Sequence, residues 1–304
     1  MSTSIVSSHR EWRTRQLQAR HRLISVAAGR KHVVAKAQKV CAERRLVFTI
    51  TNGRSGSGAL AAMAAAVPGL HAVHEPEPKF AWLARHAQRN IRLAEDFLIH
   101  DKIPAIEASV PRGATYLETH NAFGKGFFEA AFALRLKFDL VLLHRPARSV
   151  AHSLHRLGWI PGRSRFGVNF FLDPGGSNLL RLPDWERHSD YQLCLWHALE
   201  VEERQAIYGL IAAGNGARVV GIDADRLPVP DYLAERLRLF GIDVDAAAAA
   251  RMAALGLARH NQQSGPANVD PQCDRDAEAR ALVDALVPDI DTIGALWKRL
   301  RLDI

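Results

Sequence analysis

Runs of apolar residues recur along the chain at Leu46–Thr51, Leu70–Glu75, Ala114–His120, Phe138–Arg145 and Ala217–Asp223. They are nearly continuous rather than alternating, and the first is rich in β-branched residues (Val47, Thr49, Ile50, Thr51). That pattern suits strands covered on both faces. Between them lies helix-forming sequence, such as Ala59–Ala66 and Gly124–Leu136. The alternation predicts an α/β fold, a three-layer α/β/α arrangement around a central parallel sheet with right-handed crossovers. Ligands of such sheets sit beyond the carboxyl ends of the strands. Arg54, Glu75, His120 and Arg145 all fall at or just past such ends, so one cleft could collect them.

The first strand end is the richest in chemistry. Leu46-Val-Phe-Thr-Ile-Thr-Asn-Gly-Arg-Ser-Gly-Ser-Gly-Ala-Leu60 runs from strand to glycine-studded loop to helix. Gly53, Gly56 and Gly58 let the backbone turn sharply. The turn aims free N–H groups and a positive helix terminus at one point, which makes an anion site. Gly53 to Gly58 has the glycine spacing of a kinase phosphate loop, but Ala59 and Leu60 stand where that chemistry needs Lys and Ser or Thr. The phosphate clamp and the magnesium-binding hydroxyl are both missing, which excludes that reading. Gly56-Ser-Gly-Ala-Leu-Ala61 also fits a dinucleotide fingerprint, with Glu75 as the acid on a ribose, and this alternative stays open.

Arg54 is explained by neither. Thr51-Asn-Gly-Arg-Ser-Gly-Ser-Gly-Ala-Leu60 resembles the 5′-phosphosulfate loop of sulfotransferases, roughly Pro-Arg/Lys-Ser-Gly-Thr-Thr-Leu. Arg54 takes the basic position, Ser55 and Gly56 match, Ser57 stands for the first threonine and Gly58 departs from the second. A second motif follows in Phe138-Asp-Leu-Val-Leu-Leu-His-Arg-Pro-Ala-Arg-Ser-Val-Ala-His-Ser153. The family's 3′-phosphate site is a strand-end arginine with a serine eight positions on, the spacing of Arg145 and Ser153. Arginine's planar fork can grip a phosphate bidentately. Pro146 replaces the usual aspartate and suits a first helical turn. Alone, Arg145 would be an ordinary solvated or salt-bridged arginine; its pairing with the first loop argues for the phosphate.

The resemblance spans roughly residues 46–300, with weaker likeness at Val219–Leu227 and Leu239–Ile242, and Arg259–Asn268 where the family has a loop closing over the nucleotide. It implies a P-loop-like sulfotransferase fold, nearest in spacing to the tyrosyl-protein and carbohydrate types. It implies 3′-phosphoadenylyl sulfate (PAPS) as co-substrate, PAP as product, and no metal. Arg54, Ser55, Gly56, Ser57, Gly58, Arg145 and Ser153 would bind the nucleotide, with Arg54 stabilising the leaving group. Two residues compete as the base. Glu75 lies 21 residues past Arg54, similar to the catalytic glutamate of tyrosyl-protein sulfotransferases. His120, in Tyr116-Leu-Glu-Thr-His-Asn121, resembles the Lys-Thr-His of the cytosolic enzymes. A glutamate needs its pKa raised by burial for this task, whereas histidine needs little tuning. Bland alternatives are a helix-capping or ion-paired Glu75 and a His120 that merely braces the loop.

Composition bounds the rest. A chain of 304 residues with 48% hydrophobic content can bury one large α/β core. The charge is lopsided: residues 1–45 hold eleven Lys/Arg and two acids, a net of +9, so the remainder of this +8 chain sums to −1. Residues 1–45 therefore read as a basic helical arm before a catalytic domain at 46–304. Such an arm either binds an anionic membrane surface or polyanion, or packs on the domain with a solvated basic face. No apolar run suggests a membrane span or a signal peptide. Cys41, Cys194 and Cys273 are odd in number and widely spaced, and the 14 histidines form no compact ligand pattern. These features predict a cytoplasmic protein without disulfides or metal.

The stretch Trp159–Gly176 is aromatic, basic and loop-like, as expected of a lid or acceptor-binding segment. Arg163 and Arg165 hint at an acidic acceptor, whether small molecule, glycan or peptide around a tyrosine. Three readings thus leave the sequence: a PAPS-dependent sulfotransferase, an NAD(P)-dependent oxidoreductase, and a non-catalytic nucleotide- or polyanion-binding protein.

Overall fold

The computed structural model describes residues 16–19, 21, 29–229, 231–257 and 275–293. The expected strands form as β1 (Arg45–Ile50), β2 (Leu70–His74), β3 (Thr115–Thr119), β4 (Asp139–His144) and β5 (Val219–Asp223). They make one parallel sheet in the order β2-β3-β1-β4-β5. Register is tight at the centre, with Ile50 opposite Leu142 and Phe48 opposite both Glu118 and Leu140.

Because side chains alternate across a strand, each strand feeds two cores. Leu46, Phe48, Ile50, Tyr116 and Leu140 point into the larger one. It is closed by α1 (Arg30–Glu43), α3 (Ile91–Phe97), α4 (Ile103–Ser109), α5 (Phe128–Ala133), α6 (Ala147–Arg156) and α8 (Asp190–Gly214). Val47, Leu117, Val141, Leu143 and Ile222 point the other way, against α2 (Ser57–Ala64), α9 (Tyr232–Arg238) and α10 (Ala246–Leu257). The architecture is therefore three-layer α/β/α. Phe48 stacks on Phe123 at 4.5 Å and meets Phe80, while Phe80 packs on Phe97 and Phe127. Such ring pairs add about 0.5–1.5 kcal/mol each beyond their burial.

Several local details depart from the pattern in the sequence. The helix expected from Gly124 begins only at Phe128, because Lys125 (φ −118°, ψ 55°) and Gly126 (φ 102°) are not helical. A Cβ on Gly126 would lie 2.7 Å from the Ala87 carbonyl oxygen, so the chain turns there through a space only glycine fits. The stretch Trp159–Gly176 is not wholly a loop but contains α7 (Arg165–Phe170), capped by Ser164, whose Oγ accepts from the Gly167 N–H. Helix α1 buries Ala37, Val40 and Cys41 in the larger core, and Arg30 pairs with Glu95 and Asp96. That part of the basic stretch packs on the domain, while residues 1–15, 20 and 22–28 lie outside the described ones. Cys41 and Cys194 are buried thiols, and burial pushes Cys41 up to about 12 and Cys194 higher still. Among the described residues no helix is long and apolar enough to cross a membrane, and no group of three His, Cys, Asp or Glu could hold a metal ion.

Candidate functional site

Strand order decides where a ligand can sit. From β1 the chain crosses toward β2 on one side, whereas β4 continues to β5 on the other. The crevice between the ends of β1 and β4 is thus the topological switch point, where open α/β sheets bind ligands. Across adjacent strands, each about 4.8 Å apart, the ends of β2, β3, β1 and β4 lay out Glu75, His120, Arg54 and Arg145 in that order.

The loop after β1 is wound tightly. Gly53 (φ 77°), Arg54 (φ 57°) and Gly56 (φ 75°) all take the left-handed conformation. For glycine this costs little, but for Arg54 it is a strained conformation held by its surroundings. A Cβ on Gly53 would lie 3.0 Å from Asn121 Nδ2, so the loop presses against the end of β3. Buried Ser55 donates from Oγ to the Gly53 carbonyl at 3.1 Å, which stiffens the turn. Ser57 and Gly58 open α2, with the Leu60 N–H donating to the Gly56 carbonyl at 2.9 Å.

The second motif folds onto the first. Arg145 Nη1 donates to the Arg54 carbonyl at 2.8 Å, and its Nε lies 3.6 Å from Asp225. Arg54 Nε donates to Ser153 Oγ on α6 at 3.3 Å. Residues ninety or more positions apart in sequence thus meet within one crevice. Burial first, then the charges of Arg145 and Arg156, lower the Arg54 pKa. An arginine does not lose its proton in practice, so the effect measures first the burial of the guanidinium and then the crowding of like charge around it. Such crowding is relieved by an anion.

His120 is buried at 1% exposure, edge-on to Phe80. Its Nδ1 accepts from the Ala122 N–H at 3.0 Å. The neutral ring therefore carries its proton on Nε2, which is buried and has no partner. Burial above all, with Lys102 and Lys125 nearby, holds its pKa well below the usual histidine value. This histidine presents a hydrogen-bond donor, not the free lone pair that a base requires. Glu75, half-buried, sits just past β2 at φ 47°, and its N–H extends the ladder to the Thr119 carbonyl at 3.1 Å. Its carboxylate is the remaining candidate base of the two.

The sequence did not flag Lys125, His197 or Gln205. Lys125 is fully buried, donates from Nζ to the Phe170 carbonyl at 3.0 Å and lies over the Phe171 ring. Burial, with Arg204 beside it, pushes its pKa down to about 7. His197 stacks on Phe171 at 4.6 Å, and burial holds it well below the usual histidine range. A lysine in helix-forming sequence is ordinarily solvated, so only the fold reveals this one as buried. The hint of an acidic acceptor weakens at Arg163. Its guanidinium donates to Asp190 at 2.5 Å and to the Glu186 and His188 carbonyls, pinning the Trp159–Gly176 segment to the start of α8. Trp159 stacks on Phe166 at 3.9 Å, with the Arg54 guanidinium 6.0 Å from its ring. This places the aromatic segment beside the arginines.

The strand order also removes the dinucleotide reading. A ribose-binding acid needs its strand beside β1, but β3 lies between β1 and β2, so Glu75 is two strands away from the loop. The segment Arg259–Asn268, expected over a nucleotide, lies outside the described residues. A cavity of about 1890 Å³ opens at the opposite, amino-terminal end of the sheet, by Arg45, Thr115 and Asp139. It is lined by none of the candidate residues, and the convergence of arginines marks the site better than that hollow.

No protein-family model matches the sequence, and no curated protein matches it. Among solved structures, the chain is similar to the sulfotransferase domain from the Synechococcus PCC 7002 olefin synthase. The TM-score is 0.42 at 15% identity, covering 86% of this chain and 95% of that one. It is also similar to the sulfotransferase domain from the curacin biosynthetic pathway, with a TM-score of 0.42 at 11% identity, covering 86% and 99%. At this degree of overlap, any chemistry rests on the chain's own residues.

Proposed function

We propose that this protein is a sulfotransferase that binds 3′-phosphoadenylyl sulfate in the crevice between β1 and β4. The observation that carries the reading is the meeting of the two motifs: Arg54 bonded to Ser153, and Arg145 bonded to the Arg54 carbonyl. Crowded positive charge and the orphaned donor on His120 both fit a multiply anionic ligand. Arg145 and Ser153 would hold the 3′-phosphate, and the N–H groups from Ser55 to Gly58 with the Ser57 hydroxyl would cradle the 5′ end.

When bound, the nucleotide supplies the sulfuryl group. Arg54 opposes negative charge that develops on the departing side, and His120 Nε2–H donates to an oxygen from the β3 side. Glu75 takes the acceptor's proton, with the acceptor held against the aromatic segment around Trp159. The acceptor is a hydroxyl compound, with tyrosyl peptides and glycans as the first to try.

The test is direct. The protein should be stabilised in thermal melts by 3′,5′-ADP and not by NAD(H) or NADP(H), and the reverse pattern would sink the reading. Arg145→Ala should weaken 3′,5′-ADP by about tenfold to a hundredfold in calorimetry, the loss expected for a charge-assisted phosphate contact. Unchanged affinity would mean that Arg145 does not touch the ligand. Transfer from radiolabelled PAPS to a panel of phenols, glycans and acidic peptides would identify the acceptor.

A further inference from the structure

Helix α8 crosses the larger core with several polar side chains turned inward, and most have local duties. Glu200 accepts from the Leu179 and Leu180 N–H groups, and Arg204 donates to Glu200 and to the Gly124 carbonyl. Gln205 does something different. Its Nε2 donates to the Ile50 carbonyl at 2.7 Å and to the Leu143 carbonyl at 3.0 Å. Ile50 is the last residue of β1 and Leu143 the next to last of β4. The last paired residues of the two strands are Ile50 and Leu142. One buried amide thus spans the seam where the ladder stops, four residues before Arg54 and two before Arg145.

Parallel strands twist relative to each other, so their ends diverge once the ladder stops. Buried carbonyls there also need donors. A glutamine amide offers two N–H groups on one nitrogen, a fixed separation set by covalent geometry. We propose that Gln205 is a positioning residue that sets the spacing between the two anion-binding strand ends, and thereby the preference for a nucleotide phosphorylated at both positions. This rests on the sulfotransferase reading of Arg54 and Arg145. Gln205 itself touches no ligand. Its effect reaches the ligand through the carbonyls, and the Arg145 bond to the Arg54 carbonyl closes the same seam further out.

The experiment compares 3′,5′-ADP, 5′-AMP and 3′-AMP by calorimetry on the full-length chain and on Gln205→Leu, which keeps the bulk and removes both donors. In the unaltered protein, 3′,5′-ADP should bind far more tightly than either monophosphate. In Gln205→Leu its affinity should fall about tenfold, while each monophosphate stays within about twofold, because each half-site is intact and only their separation has changed. Should Gln205→Leu fail to fold, Gln205→Asn draws the amide back by one methylene and should show the same selective loss. Equal losses for all three ligands, or no loss for any, would overturn the positioning role. If the unaltered protein shows no preference for the bisphosphate, the sulfotransferase reading itself falls.

Discussion

At the scale of single residues, the site separates what spacing reveals from what burial decides. That Arg54, Arg145 and Ser153 meet could be read from their places at two strand ends of one parallel sheet, and the fold brings the three together. Which of Glu75 and His120 is the better candidate for a base was not legible. It depends on the Ala122 N–H occupying His120 Nδ1, a contact made by the turn after β3. If His120 serves as a donor and Glu75 as the base, Glu75→Gln should cost turnover about 10²–10⁴-fold. The wild-type rate should then show no loss from protonation of a group near 6.5, since His120 stays neutral well below that. A pH–rate profile on PAPS turnover checks both points. Retained activity in Glu75→Gln together with an ionisation near 6.5 would return the base role to His120.

Elements follow a similar division. The five strands of the parallel sheet could be read from the sequence as apolar runs, clearest in the well-buried central ones. The two-residue strands Leu180–Arg181 and Val287–Pro288 are too short to leave such a run. The segment Trp159–Gly176 could not be read either, because α7 is short and its stability comes from tertiary contacts, not from its own composition. Gly167 shows how closely it is fitted. A Cβ there would lie 1.8 Å from the Ile160 carbonyl oxygen. Gly167→Ala should therefore force α7 off its seat, at a cost of about 1–3 kcal/mol or more. Arg163→Ala should act in the same direction but more mildly, since it frees only the anchorage to α8. If this segment holds the acceptor, both variants should raise the KM for acceptor while leaving 3′,5′-ADP affinity near normal. Steady-state kinetics beside calorimetry would separate the two effects.

For the molecule as a whole, the buried bases behind the site tie stability to pH. His120 and His197 have folded pKa values well below the unfolded value, so below about 6.5 the unfolded chain binds protons that the folded one refuses. Stability should therefore drop as pH falls through that range, and His197→Phe should flatten the decline in urea titrations at pH 5–7. Lys125 acts in a second window. Its folded pKa of about 7 lies below the ordinary lysine value, so the unfolded chain holds the extra proton between about 7 and 10 and stability rises with pH there. Lys125→Met should lack that rise. The two closed thiols add a consequence of another kind. Cys41 sits in α1 near the amino-terminal end of the sheet, and Cys194 in the first turns of α8, its Sγ 3.9 Å from the Trp159 carbonyl. Neither is exposed nor readily ionised in the folded chain, so an alkylating reagent can reach each one only after its own helix lifts away. Among the described residues the protein thus carries two internal clocks, one on each supporting helix, that record which of the two leaves the larger core first.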